Sequence, residues 1–213
     1  MCAFYLGSEH NPNRYTGNID VAIVDFDGDQ AGSFFLDAFR STPPGNLTLH
    51  WRFKYPDDFG NNVNETRQAV DDGQVWAIVV LRPNITATIN KSLLALINST
   101  TLVTYPFFNT LPVLVIYDEG RNAFTQNIFV LPPIHAAIVT ANNRYSKTLR
   151  TTIISNLYST SFLNNNRTLQ LQNTLRLQRL ITNPFAVEYN NLHRALPYVG
   201  MLNLILFKLK LAL

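Results

Sequence analysis

Short apolar runs alternate with helix-patterned stretches through the first 120 residues. Ile19–Val24 (IDVAIV) is a β-branched run of strand length that leads into the polar turn Asp25-Phe26-Asp27-Gly28-Asp29. From about Gln30 to Ser41, Phe34, Phe35, Ala38 and Phe39 fall on one helical face, until Pro43-Pro44-Gly45 stops the helix. Residues 47–53 (LTLHWRF) alternate as a strand does. Asn62 to Asp72 reads as a short polar helix ending at Gly73, and Val75–Leu81 (VWAIVVL) is a near-continuous apolar strand. Pro83-Asn84 opens a helix with Ile85, Ile89, Leu93 and Leu96 spaced by three or four, and Val113–Tyr117 (VLVIY) is a fourth strand.

Beyond Arg121 no strand is predicted. Residues from about 122 to 160 and from 166 to 182 read as helices, with Asn164-Asn165-Asn166 between them as a turn and cap. In the second stretch Leu169, Leu171, Leu175 and Leu177 give no clean helical stripe. The alternation predicts an α/β fold, a small open sheet of about four strands with interleaved helices, followed by long C-terminal helices leading to a membrane segment. The expected division is an α/β extracytoplasmic core over 1–120, a helical stalk over 121–194 and the start of a truncated transmembrane segment over 195–213.

Six Asn-X-Ser/Thr triplets change the picture most. They begin at Asn46, Asn64, Asn84, Asn90, Asn98 and Asn166. Six is about twice the number expected by chance in a chain so rich in Asn and Thr, and such triplets receive oligosaccharide in the secretory lumen. The plainer alternative is that Asn and Thr populate turns and helix caps. With the single cysteine Cys2 the chain can form no internal disulfide, but 213 residues can build a sufficient core without one. Ala195–Leu213 is apolar except for Asn203, Lys208 and Lys210, and reads as a transmembrane helix that stops short. Delivery to the lumen would need an upstream segment, since Met1–Gly7 is too short for a signal peptide. These features predict a domain facing the lumen or exterior, in the plasma membrane or secretory pathway.

The net charge of +3 hides an asymmetry. Residues 1–120 hold 7 Lys/Arg against 13 Asp/Glu, and residues 121–213 hold 10 against 1. The basic second half suits solvated helix faces or a stalk near anionic headgroups. No nucleic-acid-binding motif accompanies it, so nucleic acid is not expected as a partner.

Candidate chemistry centres on Val21–Asp29 (VAIVDFDGD). A hydrophobic strand ending in Asp-X-Asp-Gly is similar to the first motif of haloacid-dehalogenase-type phosphotransferases, whose first Asp attacks phosphorus while the second acts as acid/base beside Mg²⁺. Here Asp29 replaces the usual Thr or Val after Gly28, Val75–Leu81 ends in Arg82-Pro83, and no Lys precedes Asp118-Glu119. A calcium loop from Asp25 fails at Gln30 and Leu36, where Gly and Glu are needed. His10, His50, His135 and His193 show no metal-ligand spacing. No catalytic, metal or cofactor residue is therefore assigned. A Mg²⁺-dependent phosphotransferase using Asp25 and Asp27 is kept as one alternative, and a structural or adhesion ectodomain as another.

Three stretches together carry a resemblance: residues 18–39, residues 69–90 and residues 112–122. Within them stand Asp25-Phe26-Asp27-Gly28, Gly73 before Val75-Trp76-Ala77, and Tyr117 to Arg121-Asn122. Their order resembles the extracytoplasmic domain of type-two ABC exporter permeases and phage-infection-protein relatives. It is most similar to a fungal membrane-protein family related to nitrosoguanidine resistance, whose domain is of unknown function. The resemblance implies a non-catalytic domain between a first transmembrane helix and a later membrane block, connected with export or drug and mutagen resistance. It also implies the lipid bilayer as partner through flanking membrane helices and a separate nucleotide-hydrolysing partner for any energy-coupled transport; beside these a homo-oligomer and no cofactor are expected. On that pattern the chain reads as a fragment or truncated product, departing from the family after Phe207.

Overall fold

The computed structural model describes residues 16–42, 49–98, 102, 104–107, 109–159 and 167–194. Within them a five-stranded open sheet in the order β2-β1-β3-β4-β5 is built from Asp20–Asp25 (β1), His50–Lys54 (β2), Ala77–Leu81 (β3), Val113–Tyr117 (β4) and Val187–Asn191 (β5). β1 runs parallel to β2 and β3, β4 is antiparallel to β3, and β5 is parallel to β4. The three central strands are the three strongest apolar runs, and β3 is buried at every position. The outer strands are polar and partly exposed, as edges are.

The fifth strand corrects the expectation that none follows Arg121. β5 reads Val-Glu-Tyr-Asn-Asn, which has too few apolar residues to signal a strand. It forms because β4 offers a free backbone edge, paired from Val113↔Val187 to Tyr117↔Asn191. The stretch expected as a stalk therefore returns to complete the sheet.

Among the described residues six α-helices surround the sheet: Gln30–Arg40 (α1), Thr66–Asp71 (α2), Ile85–Asn98 (α3), Glu119–Thr125 (α4), Leu131–Ser159 (α5) and Arg167–Thr182 (α6). One sheet face (Val21, Ile23, Ala77, Val79, Val113, Val115) packs in a single core with α1, α3, α5 and α6. The other (Ala22, Val24, Ile78, Val80, Leu114, Ile116) is covered more thinly, by Ala69 and Val70 of α2, by Val75, and by partly buried Phe26, Phe59, Val63 and Leu192. Among the described side chains of α6, Leu177, Leu180 and Ile181 are buried together with the polar Asn173, while Leu175 is exposed, which accounts for the blurred leucine stripe.

The segment from Glu119 to Ser155 is long and apolar enough, by length and composition, to cross a membrane. In this fold one stripe of it (Val130, Ile134, Ala137, Ile138, Ala141, Tyr145, Leu149, Ile153) is buried in the core. Between α4 and α5 the helix widens to a π turn at Gln126–Val130, closed by Leu131 N–H donating to the Gln126 carbonyl. Pro132 and Pro133 follow it and lack the N–H groups that would tie the carbonyls of Ile128 and Phe129 in ordinary α geometry.

The register fixes which groups share an end of the sheet. Asp20, His50, Ala77, Tyr117 and Asn191 lie at one end, where both described chain ends, Thr16 and Arg194, also lie. This is the entry end. Asp25, Leu81, Val113 and Val187 lie at the far end. β1 and β5 are three strand spacings apart, about 14 Å.

Candidate functional site

The two motif clusters form at opposite ends of the sheet. At the far end, the Asp25 carboxylate closes the turn after β1, accepting from Asp27 N–H at 2.9 Å and Gly28 N–H at 3.2 Å. Gly28 takes φ +66°, which a side chain would resist. Asp29 caps α1 by accepting from Gln30 N–H at 2.7 Å. Asp27 reaches across to the start of α3, accepting from Thr86 N–H at 3.0 Å and from the Thr86 hydroxyl at 2.5 Å. That hydroxyl in turn accepts from Ala31 N–H at 2.8 Å. One buried threonine thus joins the turn, α1 and α3.

Asp25 presses on Gly32 of α1. A Cβ there would stand 2.6 Å from the carboxyl carbon, so no larger residue fits without displacing the carboxylate. Burial is the main cause that raises the Asp25 pKa; the two backbone donors lower it and the Asp27 charge adds to the rise. A carboxyl with a raised native pKa holds its proton more tightly folded than unfolded. Its ionisation therefore withdraws stability as pH climbs from the ordinary carboxylate value through the native one. Asp25→Asn is expected to abolish that downward step and to leave stability at neutral pH equal or higher. Urea melts between about pH 3.5 and 7 check this, because an unchanged slope in the variant would trace the step to another group.

Tyr145 of α5 sits beside this turn. Its ring stacks on Phe185 at 5.4 Å and tilts against Phe34 at 5.1 Å. Its hydroxyl is buried without a partner. Burial first, then the charges of Asp27 and Asp29, push its pKa up to about 12, so it stays protonated. Tyr145→Phe is expected to stabilise the fold by about 1–2 kcal/mol by removing an unsatisfied polar group. A loss on chemical denaturation would mean that the hydroxyl is bonded in solution.

At the entry end, Gly73 takes φ +72°, with the Arg121 guanidinium carbon 3.8 Å from where its Cβ would stand. Arg121 donates to the Val75 carbonyl at 2.8 Å and lies 4.5 Å from the centre of the Trp76 ring. The buried Gln126 amide donates to the carbonyls of Trp76 at 2.8 Å and Asp118 at 3.2 Å. Asp118 caps α4 through Gly120 N–H at 2.7 Å, and His193 Nδ1 stands 3.3 Å from its other oxygen. These residues fasten the loop after α2, the start of β3 and the end of β4 to one another.

In both clusters the polar groups are largely taken up by protein partners, which is the chemistry of turns, caps and clamps. Among the described residues no group of three or more His, Cys, Asp or Glu could hold a metal ion. On the thinly covered face lies an open cleft of about 600 Å³ with Asp58, Glu65 and Asp72 in its wall and no Lys or Arg. The far-end cations are placed by α5. Asn142 brackets Phe185 (its Oδ1 accepts from Phe185 N–H at 2.8 Å), and the Ser146 hydroxyl donates to the Thr182 carbonyl at 3.2 Å. α5 therefore passes the far end of the sheet near Asn142–Ser146 and continues about 20 Å beyond it. The exposed Lys147 and Arg150 lie on this projecting part, with Arg144 at its base.

Of the predicted glycosylation positions, Asn64, Asn84 and Asn90 are exposed. Asn46 and Asn166, and the side chain of Asn98, lie outside the described residues. The hydroxyls of the three described triplets also have structural partners: Thr66 donates to the Val63 carbonyl at 2.6 Å, Thr86 is the Asp27 partner, and Ser92 donates to the Thr88 carbonyl at 2.9 Å. Sequence reasoning missed Thr86, Gly32, Gln126 and Tyr145. Thr86 was in view only as the last residue of a triplet.

A family model described as protein of unknown function (DUF3533) matches residues 1–210. No curated protein matches the chain. Among solved structures, the crystal structure of "a domain of a putative ABC type-2 transporter" from Thermotoga maritima MSB8 is similar over 85% of this chain and 95% of that one, with 12% identity and a TM-score of 0.41.

Proposed function

The chain belongs to the DUF3533 family of proteins of unknown function, and from that membership and the geometry of the sheet we propose that it is the extracytoplasmic module of an integral membrane protein. The observation that carries this reading is the shared entry end: the described chain enters β1 and leaves β5 at the same end of the sheet, on strands about 14 Å apart. A domain inserted between two membrane segments needs that arrangement, because both connections must return to one surface. The apolar composition of residues 195–213, which follow Arg194, supports it. Exposed Asn64, Asn84 and Asn90 suit a lumenal or exterior surface, where glycans must project into solvent.

The role is structural and non-catalytic, in a protein of the type-two ABC-permease-like class connected with export or drug resistance. The resemblance of the three motif stretches supports that class. Their residues form clamps that hold the domain's two ends rigid, which suits a module that transmits position. Asp25 and Asp27 serve as turn and cap acceptors, so the phosphotransferase alternative gains no support from their geometry. The headgroup role expected for the basic stretch fits less well. Arg144, Lys147 and Arg150 lie at the end of the sheet away from Thr16 and Arg194.

The test is glycosidase treatment of the full-length protein expressed from its own gene, with whatever precedes Met1 included, in a eukaryotic secretory host. A mobility shift of several glycans is expected, reduced stepwise by Asn64→Gln, Asn84→Gln and Asn90→Gln. No shift would put the domain on the cytosolic side and overturn the reading.

A further inference from the structure

We infer that the entry end of the sheet is a lipid-contact surface, with Phe124 and Ile128 seated in the interfacial layer of the bilayer. The inference rests on the reading that both chain ends lead into a membrane. Phe124 is 61% exposed and Ile128 50% exposed, the fourth residue along the same helical segment. Phe129 adds an aromatic edge, its ring 5.9 Å from that of Phe124. Gln126, between them, points the opposite way, and its bonds to the carbonyls of Trp76 and Asp118 pin this segment to the entry end.

On the same end the exposed Arg121 covers the Trp76 ring. Aromatic rings and aliphatic side chains next to a guanidinium suit the boundary between headgroups and acyl chains, where one part of each group is wet and the other dry. A lipid occupant is favoured over a second copy of this chain by the sequence that follows β5. Arg194 lies at this end, and the residues after it are predominantly apolar. The far end combines exposed cations with the exposed apolar Ile154 and Leu175. Arg144, Lys147, Arg150 and Arg176 are exposed there, and the sequence has no Asp or Glu between Glu119 and Glu188.

The experiment uses the full chain with Cys2→Ser and a spin label on either Phe124→Cys or Ile154→Cys, Ile154 being exposed on the projecting part of α5. Each is mixed with phosphatidylcholine vesicles, floated on a density gradient, and read for collision with oxygen, which enters lipid, and with a nickel chelate, which stays in water. The expected result is that the protein floats, with the label at 124 favouring oxygen by several-fold over the label at 154. Flotation with both labels equally open to nickel would overturn the lipid contact and leave the membrane reading standing. A label at 124 shielded from both reagents would also overturn it, showing that protein covers the patch. Failure to float would overturn both. Oxygen preference at both positions would mean that α5 itself enters the bilayer, again overturning both.

Discussion

Phe185→Ala is expected to destabilise the fold by about 3–5 kcal/mol, the range for emptying a well-packed aromatic site. Phe185 is fully buried, stacked on Tyr145 at 5.4 Å and tilted to Phe35 at 5.6 Å. It therefore joins α5, α1 and the residues leading into β5. The surrounding rings belong to two separate helices, α1 and α5, so the cavity cannot close by moving one side chain. The loss should also be uneven. Among the described residues β5 pairs with β4 alone, and Phe185 anchors its first residues to the core. Hydrogen exchange is expected to rise first in the amides of residues 187–191, ahead of those in β1 and β3. Uniform acceleration throughout the sheet would show that β5 is no weaker than the rest. Because the described chain leaves the sheet through β5, this variant also bears on function: it would loosen one of the two connections proposed to run to the membrane while leaving the other intact.

The central strands were legible because each is a short β-branched run buried on both faces, which leaves no polar alternation to confuse the pattern. β2 was placed within a few residues because Trp51 and Phe53 alternate with polar neighbours. β5 was not legible. Its residues are selected by a free edge on β4, a property of the tertiary structure. The long helix was legible as a helix, but its widened turn depends on Pro132 and Pro133, and its route past the sheet depends on Gln126, Asn142 and Ser146 meeting partners distant in sequence. The same limit applied to the site. Asp25, Asp27 and Asp29 stood out as a motif, yet their spacing is shared by catalytic, metal-binding and capping sequences. Thr86, 59 positions beyond Asp27, separates those readings, and nothing local to Thr86 announces it. Gly73, Trp76 and Arg121 were legible as a set only through the resemblance; the structure gives the physical reason, a guanidinium held between a left-handed glycine and an indole ring.

Asp27→Ala is expected to cost about 2–4 kcal/mol, because it removes two charge-assisted acceptor contacts and leaves the largely buried Thr86 N–H and hydroxyl without an acceptor. The carboxylate also faces the positive end of the α3 dipole, so Asp27→Asn, which keeps an acceptor but loses the charge, should lie between wild type and Ala. Thr86→Ala should cost a comparable amount, since the same hydroxyl also serves Ala31 N–H. If the two side chains act as one clamp, the double variant will be less damaged than the sum of the singles, with a coupling of about 1–3 kcal/mol on denaturant melts. This cycle also decides between the two meanings of the motif. A catalytic acid/base must be available to its substrate, so a catalytic Asp27 would couple weakly to Thr86, and its replacement would leave stability nearly unchanged. Additive losses combined with hydrolysis of an aryl phosphate by wild type, lost in Asp25→Asn, would return the phosphotransferase reading. Strong coupling without such activity would establish that Asp27 is spent on joining the turn after β1 to the helix after β3.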